Sequence, residues 1–249
     1  MSMEDFLRTS VRRWMQGRRI PAERLLRRFG LTRSVFRRLT PVNAVDFGES
    51  RGRCIDRYYI ENFLLTHASD VQGHVLEFGD DTYTRRYGGS RVTRTDVLHL
   101  TADNPRATIV ANLEDGENLP SDTFDCIICT QVLHCTFEVG DAIRTLHRML
   151  KPGGVVLVTD AGIQKVDSVD LANGEEYWRF TSRALMQMFS EVFPAAHIDA
   201  KAYGNVLAAI AFLQGLAVED LEQNDLDVVD PDFEVSIGLR AVKPRISAK

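Results

Sequence analysis

Two unbroken apolar runs, Cys126-Ile127-Ile128-Cys129 and Val155-Val156-Leu157-Val158, bracket a segment in which Ala142, Ile143, Leu146, Met149 and Leu150 recur at helical spacing. A strand with one wet face alternates, whereas a parallel strand buried on both faces is apolar at every position. The stretch from Asp122 to Asp160 therefore predicts strand, loop, helix, tight turn and strand. Lys151-Pro152-Gly153-Gly154 supplies a cation for the helix end, a residue that cannot continue the helix, and glycines for the turn.

The same pattern predicts earlier strands at residues 73–79, 91–97 and 107–111, the two central ones at 124–130 and 155–160, and later ones at 196–203 and 235–242. Helices are expected at 182–192, with Thr181 as N-cap, and at 205–221. Strands alternating with helices predict an α/β fold, a mostly parallel sheet with helices on both faces. Ligands of such sheets bind at the carboxyl ends of the strands, where strand order reverses. That rule selects Glu77, Phe78, Gly79 and Asp80 after the first strand, Asp96 at the end of the second, and Asn112 and Leu113 after the third. It also selects Thr130 to His134 after the fourth and Asp160 to Gly162 after the fifth. Asp96 falls about twenty residues beyond the first glycine turn, where ribose-binding acids sit in dinucleotide folds.

Composition narrows the class. A chain of 249 residues, 44% hydrophobic and 26% charged, is ordinary for a globular protein of one large domain with appendages. No stretch approaches the run of about 20 apolar residues of a membrane span, and no block resembles a signal peptide, so a cytoplasmic location is expected. Charge is unevenly placed: residues 1–40 hold eleven arginines against three acids, +8 in all, which leaves −13 for the rest. Residues 1–45 are expected to form a basic, amphipathic helical appendage and residues 46–249 the main domain. Three roles stand open for the appendage: packing on the acidic body or on a second subunit of a homo-oligomer, contact with an anionic membrane or glycan phosphate, and nucleic-acid binding. The acidity of the body favours the first. Cys126 and Cys129, an odd distance apart on a strand, point to opposite faces and read as core thiols.

The segments VLEFGDD, ANLEDGENLPSDTFDCIICTQVLH and LHRMLKPGGVVLVT, with Asp96 between the first two, resemble the class I S-adenosylmethionine-dependent methyltransferases, most like the type 11 branch. The resemblance spans about residues 55–242. Within the family, GRCIDRYYIENFL, DDTYTRRYGGSRVTRTDVLHL, EEYWRFTSRAL and AYGNVLAAIAFLQGL are most similar to enzymes associated with polysaccharide and glycan biosynthesis. The resemblance implies a Rossmann-like, seven-stranded sheet. It also implies that Glu77, Phe78, Gly79 and Asp80 contact the methionine part of S-adenosylmethionine, that Asp96 with Val97 receives the ribose, and that Asn112 and Leu113 flank the adenine. Thr130 and Gln131 would line the cofactor, and Gln131 to His134 the methyl-transfer zone. The chain departs from the family's acid-x-Gly-x-Gly-x-Gly motif, keeping only Gly79. Arg57, Tyr58 and Tyr59 are therefore expected to close over the ligands, Arg57 pairing the cofactor carboxylate, Tyr59 beside it and Tyr58 towards the substrate.

A sulfonium is already activated, so such an enzyme must align a nucleophile, exclude water and remove a proton. A hydroxyl nucleophile calls for a general base or a metal. His134 is the first candidate base and Asp160 the second, as base or as a ligand of Mg2+ holding a sugar diol, with helix capping open for each. Glu176, Tyr177 and Trp178, beside Glu175 and Arg179, are candidate sugar contacts, with anchoring of the next helix as the alternative. The expected function is O-methylation of a saccharide hydroxyl. Methylation of a non-sugar natural product, or a non-catalytic partner role in a glycan-assembly complex, are the alternatives. Nucleic acid is not an expected substrate, because Thr130-Gln131-Val132-Leu133 stands where base-methylating enzymes commonly carry Asn/Asp-Pro-Pro-Tyr/Phe.

Overall fold

The computed structural model describes residues 46–245, and the expected basic segment 1–45 lies outside them. A first helix, α1 (Ile55–Thr66), buries Ile55, Tyr58, Tyr59, Ile60, Phe63 and Leu64 along one side and carries Asp56 in its first turn, where the helix dipole favours an acid. Strands β1 (Gly73–Phe78), β2 (Val92–His99), β3 (Ile109–Val110) and β4 (Phe124–Thr130) follow. After β4 come α2 (Val139–Met149), β5 (Leu150–Ala161), and the helices α3 (Ser168–Ala172) and α4 (Ser182–Ser190). The chain closes with β6 (Ile198–Tyr203), α5 (Val206–Leu213), α6 (Gln223–Asp227) and β7 (Ser236–Val242).

The seven strands form one sheet in the order β3-β2-β1-β4-β5-β7-β6. All pairings from β3 to β5 are parallel, and β7 lies antiparallel between β5 and β6. Strand order reverses between β1 and β4, which puts the ligand crevice at their carboxyl ends. Two apolar layers cover the sheet. Leu76, Ile127, Cys129, Val156 and Val158 pack with Ile143, Leu146, Leu185 and Phe189 of α2 and α4. On the other face Val75, Cys126, Ile128 and Leu157 pack with Tyr59, Phe63 and Phe212 of α1 and α5. Cys126 and Cys129 thus lie in opposite layers, as the two-residue strand period requires.

Several boundaries differ from the sequence pattern. Leu150 belongs to β5 and not to the helix, because it pairs with Phe124. The Lys151–Gly154 stretch runs on within β5 across an irregularity, Gly153 N–H donating to Lys243 O at 2.8 Å. Lys151 pairs with Asp125 at 2.7 Å. The expected third strand contracts to two residues, and the helix expected over 205–221 ends at Leu213, where Gln214 and Gly215 turn back on its last carbonyls. Asn205 caps that helix by accepting from Ala208 N–H at 3.0 Å, and Thr181 caps α4 by accepting from Ala184 N–H at 3.2 Å. Among the described residues no helix is long and apolar enough to cross a membrane.

Candidate active site

At the carboxyl end of β1 the backbone turns through Gly79, whose φ of 78° is a conformation that glycine adopts without cost. A Cβ placed there would meet no atom within 4 Å, so open space lies directly above the turn. Asn104 Nδ2 donates to Gly79 O at 2.6 Å and fixes the turn from below. The neighbouring Glu77 carboxylate is buried and faces inward, accepting from Tyr83 N–H at 3.0 Å and Thr84 N–H at 2.7 Å. Burial raises its pKa to about 7 in spite of these hydrogen bonds. Glu77 therefore organises the turn after β1.

Asp96 departs from its expected place. β2 continues to His99, so Asp96 lies opposite Leu76 within the strand, three residues short of its end. One carboxylate oxygen meets His74 Nε2 at 2.6 Å and the other accepts from the Thr108 hydroxyl at 2.8 Å. Burial opposes the charge, but these hydrogen bonds and Arg94 hold the Asp96 carboxyl below the usual range. Val97 likewise lies mid-strand and is 5% exposed. The residue that β2 presents at its carboxyl end is His99, whose Nδ1 meets Thr101 O at 3.0 Å and Asp103 at 3.8 Å. The sequence held one sign of this: Val97 and Leu98 continue the apolar run past Asp96.

Tyr58 and Tyr59 also turn away. Both rings are buried, the Tyr58 hydroxyl donating to Asp227 and the Tyr59 hydroxyl to Leu226 O at 3.1 Å, so they tie α1 to α6. Arg57 is exposed on the same helix, with one guanidinium nitrogen donating to the Tyr83 hydroxyl at 3.0 Å. After β3, Asn112 accepts from Glu114 N–H at 3.0 Å and Leu113 is buried beside it.

The two candidate catalytic residues stand at the ends of β4 and β5. Gln131, at a φ of 55°, donates its N–H to Thr159 O at 2.8 Å, a strained turn that swings the chain over the strand ends. The short turn that follows, Leu133–Cys135, places His134 Nδ1 2.7 Å from Asp160 Oδ1. Asp160 is fully buried, its Oδ1 also accepting from Ala161 N–H at 2.9 Å, and its Oδ2 has no hydrogen-bond partner. Burial disfavours a charged imidazole, yet the hydrogen bond to Asp160, helped by Cys135, prevails and raises the His134 pKa to about 10. Asp160 has no exposure, unlike a carboxylate that meets a substrate or a hydrated Mg2+ directly, and the side chain it meets is His134.

The segment between β5 and α4 is hooked onto this pair, with Tyr177 N–H and Trp178 N–H both donating to His134 O at 2.8 and 3.1 Å. Phe137, Tyr177 and Trp178 form an exposed aromatic group. The Phe137 ring lies 5.3 Å edge-on from Tyr177 and 6.3 Å stacked from Trp178. Trp178 Nε1 donates to Thr136 O at 3.0 Å. Phe137 was not singled out by sequence reasoning, and an exposed aromatic beside the His134 turn is the signal that finds it. Glu176 differs from expectation: its φ is 78°, its side chain is buried, and it accepts from Asp167 N–H at 3.0 Å. It also pairs with Arg179 at 2.7 Å without hydrogen-bond alignment, so it braces this loop.

Residues 79–158 match the family described as a methyltransferase domain. No curated protein matches the chain. Among solved structures, the chain is similar to a SAM-dependent methyltransferase from Archaeoglobus fulgidus, 8% identical with a TM-score of 0.51, over 75% of this chain and 94% of that one. It is similar in the same way to an S-adenosylmethionine-dependent methyltransferase from Mesorhizobium loti, 17% identical with a TM-score of 0.51, over 76% of this chain and 98% of that one. The fold is thus the Rossmann-like methyltransferase fold, and the matched segment runs from Gly79 to the middle of β5.

Proposed function

We propose that this chain is an S-adenosylmethionine-dependent methyltransferase that O-methylates a hydroxyl of a saccharide or a similar ring-bearing acceptor, in the cytoplasm. The observation that carries the reading is the buried His134–Asp160 pair at the ends of β4 and β5, beside the rings of Phe137, Tyr177 and Trp178. A scaffold without catalysis has no need of a buried imidazole braced by a carboxylate at its ligand crevice.

The residues at the strand ends fit the cofactor. The open space above Gly79 admits close backbone approach by its methionine part, Arg57 has guanidinium donors for the carboxylate, and Leu113 offers an apolar wall to the adenine. Asn112 keeps a second lone pair for the adenine amino group. With Asp96 committed elsewhere, His99 stands nearest the place of the missing ribose acid. When bound, the cofactor supplies a methyl group on a positively charged sulfur that needs no further activation. In its neutral form, a minor fraction at neutral pH because its pKa is raised to about 10, His134 takes the proton of the acceptor hydroxyl, and Asp160 fixes the ring orientation and stabilises the imidazolium. Methyl transfer should therefore speed up as pH rises towards 10. The aromatic group stacks on the flat apolar face of a sugar ring, while the 165–179 loop excludes water from it.

The deciding experiment mixes the purified protein and S-adenosylmethionine with a panel of mono- and oligosaccharides, amines and phenols, and follows a one-methyl mass gain on the acceptor. Methylation of a sugar hydroxyl by wild type, lost in His134→Ala while cofactor binding persists, supports the reading. Transfer to an amine overturns O-methylation, and no cofactor binding overturns the enzyme.

A further inference from the structure

His134 has a second set of neighbours that the proposed reaction does not use. A ring nitrogen of His134, Cys135 Sγ and a carboxylate oxygen of Asp170 all lie within 4.8 Å of one another. Cys135 and Asp170 are in direct contact, the thiol donating to Asp170 Oδ2 at 3.9 Å. Both are half-buried, so an ion from solvent can reach them. The two come from distant parts of the chain, Cys135 from the turn after β4 and Asp170 from α3.

We propose that His134, Cys135 and Asp170 form a three-ligand site for a divalent cation of the zinc class. The donor set carries the argument. Thiolate, imidazole and carboxylate together suit a borderline-soft ion, whereas Mg2+ and Ca2+ take oxygen ligands. A tetrahedral ion with these donors sets neighbouring ligand atoms about 3.3–3.5 Å apart, so the cluster closes onto it by movements of about 1 Å. Asp160 already occupies Nδ1, which leaves Nε2 for the metal. A metal-bound histidine commonly has such a carboxylate behind it, fixing the ring and raising its basicity. The thiolate and the carboxylate together cancel the charge of a divalent ion. The surroundings favour a cation too. The carboxylates of Asp167 and Glu176 add negative charge around Asp170.

Three protein ligands leave the fourth position open. The ion displaces the Nε2 proton of His134 and holds that nitrogen, so a metal-bound His134 does not accept a proton, and the two states of the residue exclude each other. This consequence rests on the proposed role of His134 as base, whereas the site itself does not. Zinc is then an inhibitor of methyl transfer, reversed by a chelator.

The test uses the full chain with Co2+ as a spectroscopic stand-in for zinc, without cofactor or acceptor. A cobalt–thiolate charge-transfer band saturating at one equivalent is expected. The chain has four cysteines, and Cys54, Cys126 and Cys129 are buried with their thiols pushed above the usual range, so the band reports Cys135. Cys135→Ser should abolish the band, and Asp170→Asn should weaken cobalt affinity by about tenfold or more. Zinc should displace cobalt and bleach the band. No band in wild type, or a band of equal strength in Cys135→Ser, overturns the site. Because the readout needs no methyl transfer, a failed site and a failed methyltransferase reading are told apart.

Discussion

Asp160 Oδ1 lies 2.7 Å from Nδ1 of His134 and joins the ends of two neighbouring strands through a buried hydrogen bond. The second oxygen of Asp160 is buried with no hydrogen-bond partner, an arrangement that folding alone does not favour. Asp160→Asn keeps the shape but removes the charge that stabilises an imidazolium. kcat should fall by about 10²–10⁴, the range of general-base contributions, while cofactor affinity stays within about twofold. A kcat close to wild type, measured by methyl transfer from labelled cofactor, would remove the pair from the mechanism.

Gly79→Ala meets no steric neighbour but forces a residue with a Cβ to a φ of 78°, which costs about 1–2 kcal/mol. The added methyl group also enters the open space assigned to the cofactor. Calorimetry should show S-adenosylmethionine affinity reduced by more than tenfold, a larger effect than the drop in thermal stability implies. Equal affinity would place the cofactor elsewhere.

Asp96→Asn should behave as a stability variant. Removing the charge that faces His74 and Thr108 costs about 1–3 kcal/mol in urea unfolding, with cofactor affinity within about twofold of wild type. A large loss of cofactor affinity in a stably folded Asp96→Asn protein would restore Asp96 to the ribose. His99→Ala, which removes a ring at the end of β2, is expected to weaken cofactor binding.

Glu77 makes stability depend on pH. Its pKa rises from the usual 4.5 to about 7 because burial disfavours the carboxylate. An acid that holds its proton more tightly in the fold stabilises fully below its unfolded pKa, and this contribution is lost as pH rises through about 7. The difference amounts to about 3 kcal/mol between pH 4 and pH 8. In Glu77→Gln this component disappears, so the gap in unfolding free energy between wild type and variant should change in that sense across the range. A gap independent of pH would mean that Glu77 is charged throughout.

Trp178→Ala and Phe137→Ala each remove one ring of the exposed group and should raise KM for a saccharide acceptor by about 5–10-fold, equivalent to about 1 kcal/mol, with kcat changed less. An unaltered KM in both would give the rings a purely structural role.

The sequence was most legible where residues follow one another along a single element. The apolar runs of β4 and β5 and the stripe of α2 need only local spacing, and they appear in the fold with shifts at their ends. The positions of Gly79, Gln131 and His134 at the sheet's carboxyl edge could be read from sequence, because Gly79 and Gln131 directly follow β1 and β4 and His134 lies in the turn after β4. Asp96 misled because its spacing from the glycine turn suits a ribose acid, while the length of β2 is fixed by its pairing with β1. Tyr58, Tyr59 and Glu176 misled because a polar tip on a large side chain looks available until the partners are known, and theirs are Asp227, Leu226, Asp167 and Arg179.

By itself the sequence determined an α/β sheet with both faces buried, the placement of its central strands, and the short list of residues at their carboxyl ends. The chain writes these in periodicity and glycine turns, which are properties of near neighbours. Only the tertiary structure decided that β7 enters the sheet antiparallel between β5 and β6, that Asp160 braces His134, and that Asp170 comes to stand beside Cys135. Those contacts join residues 26 and 35 positions apart, or strands separated by two helices (β6 and β7) or four (β5 and β7). Packing and register bring them together, and neither is a property that a local pattern can carry.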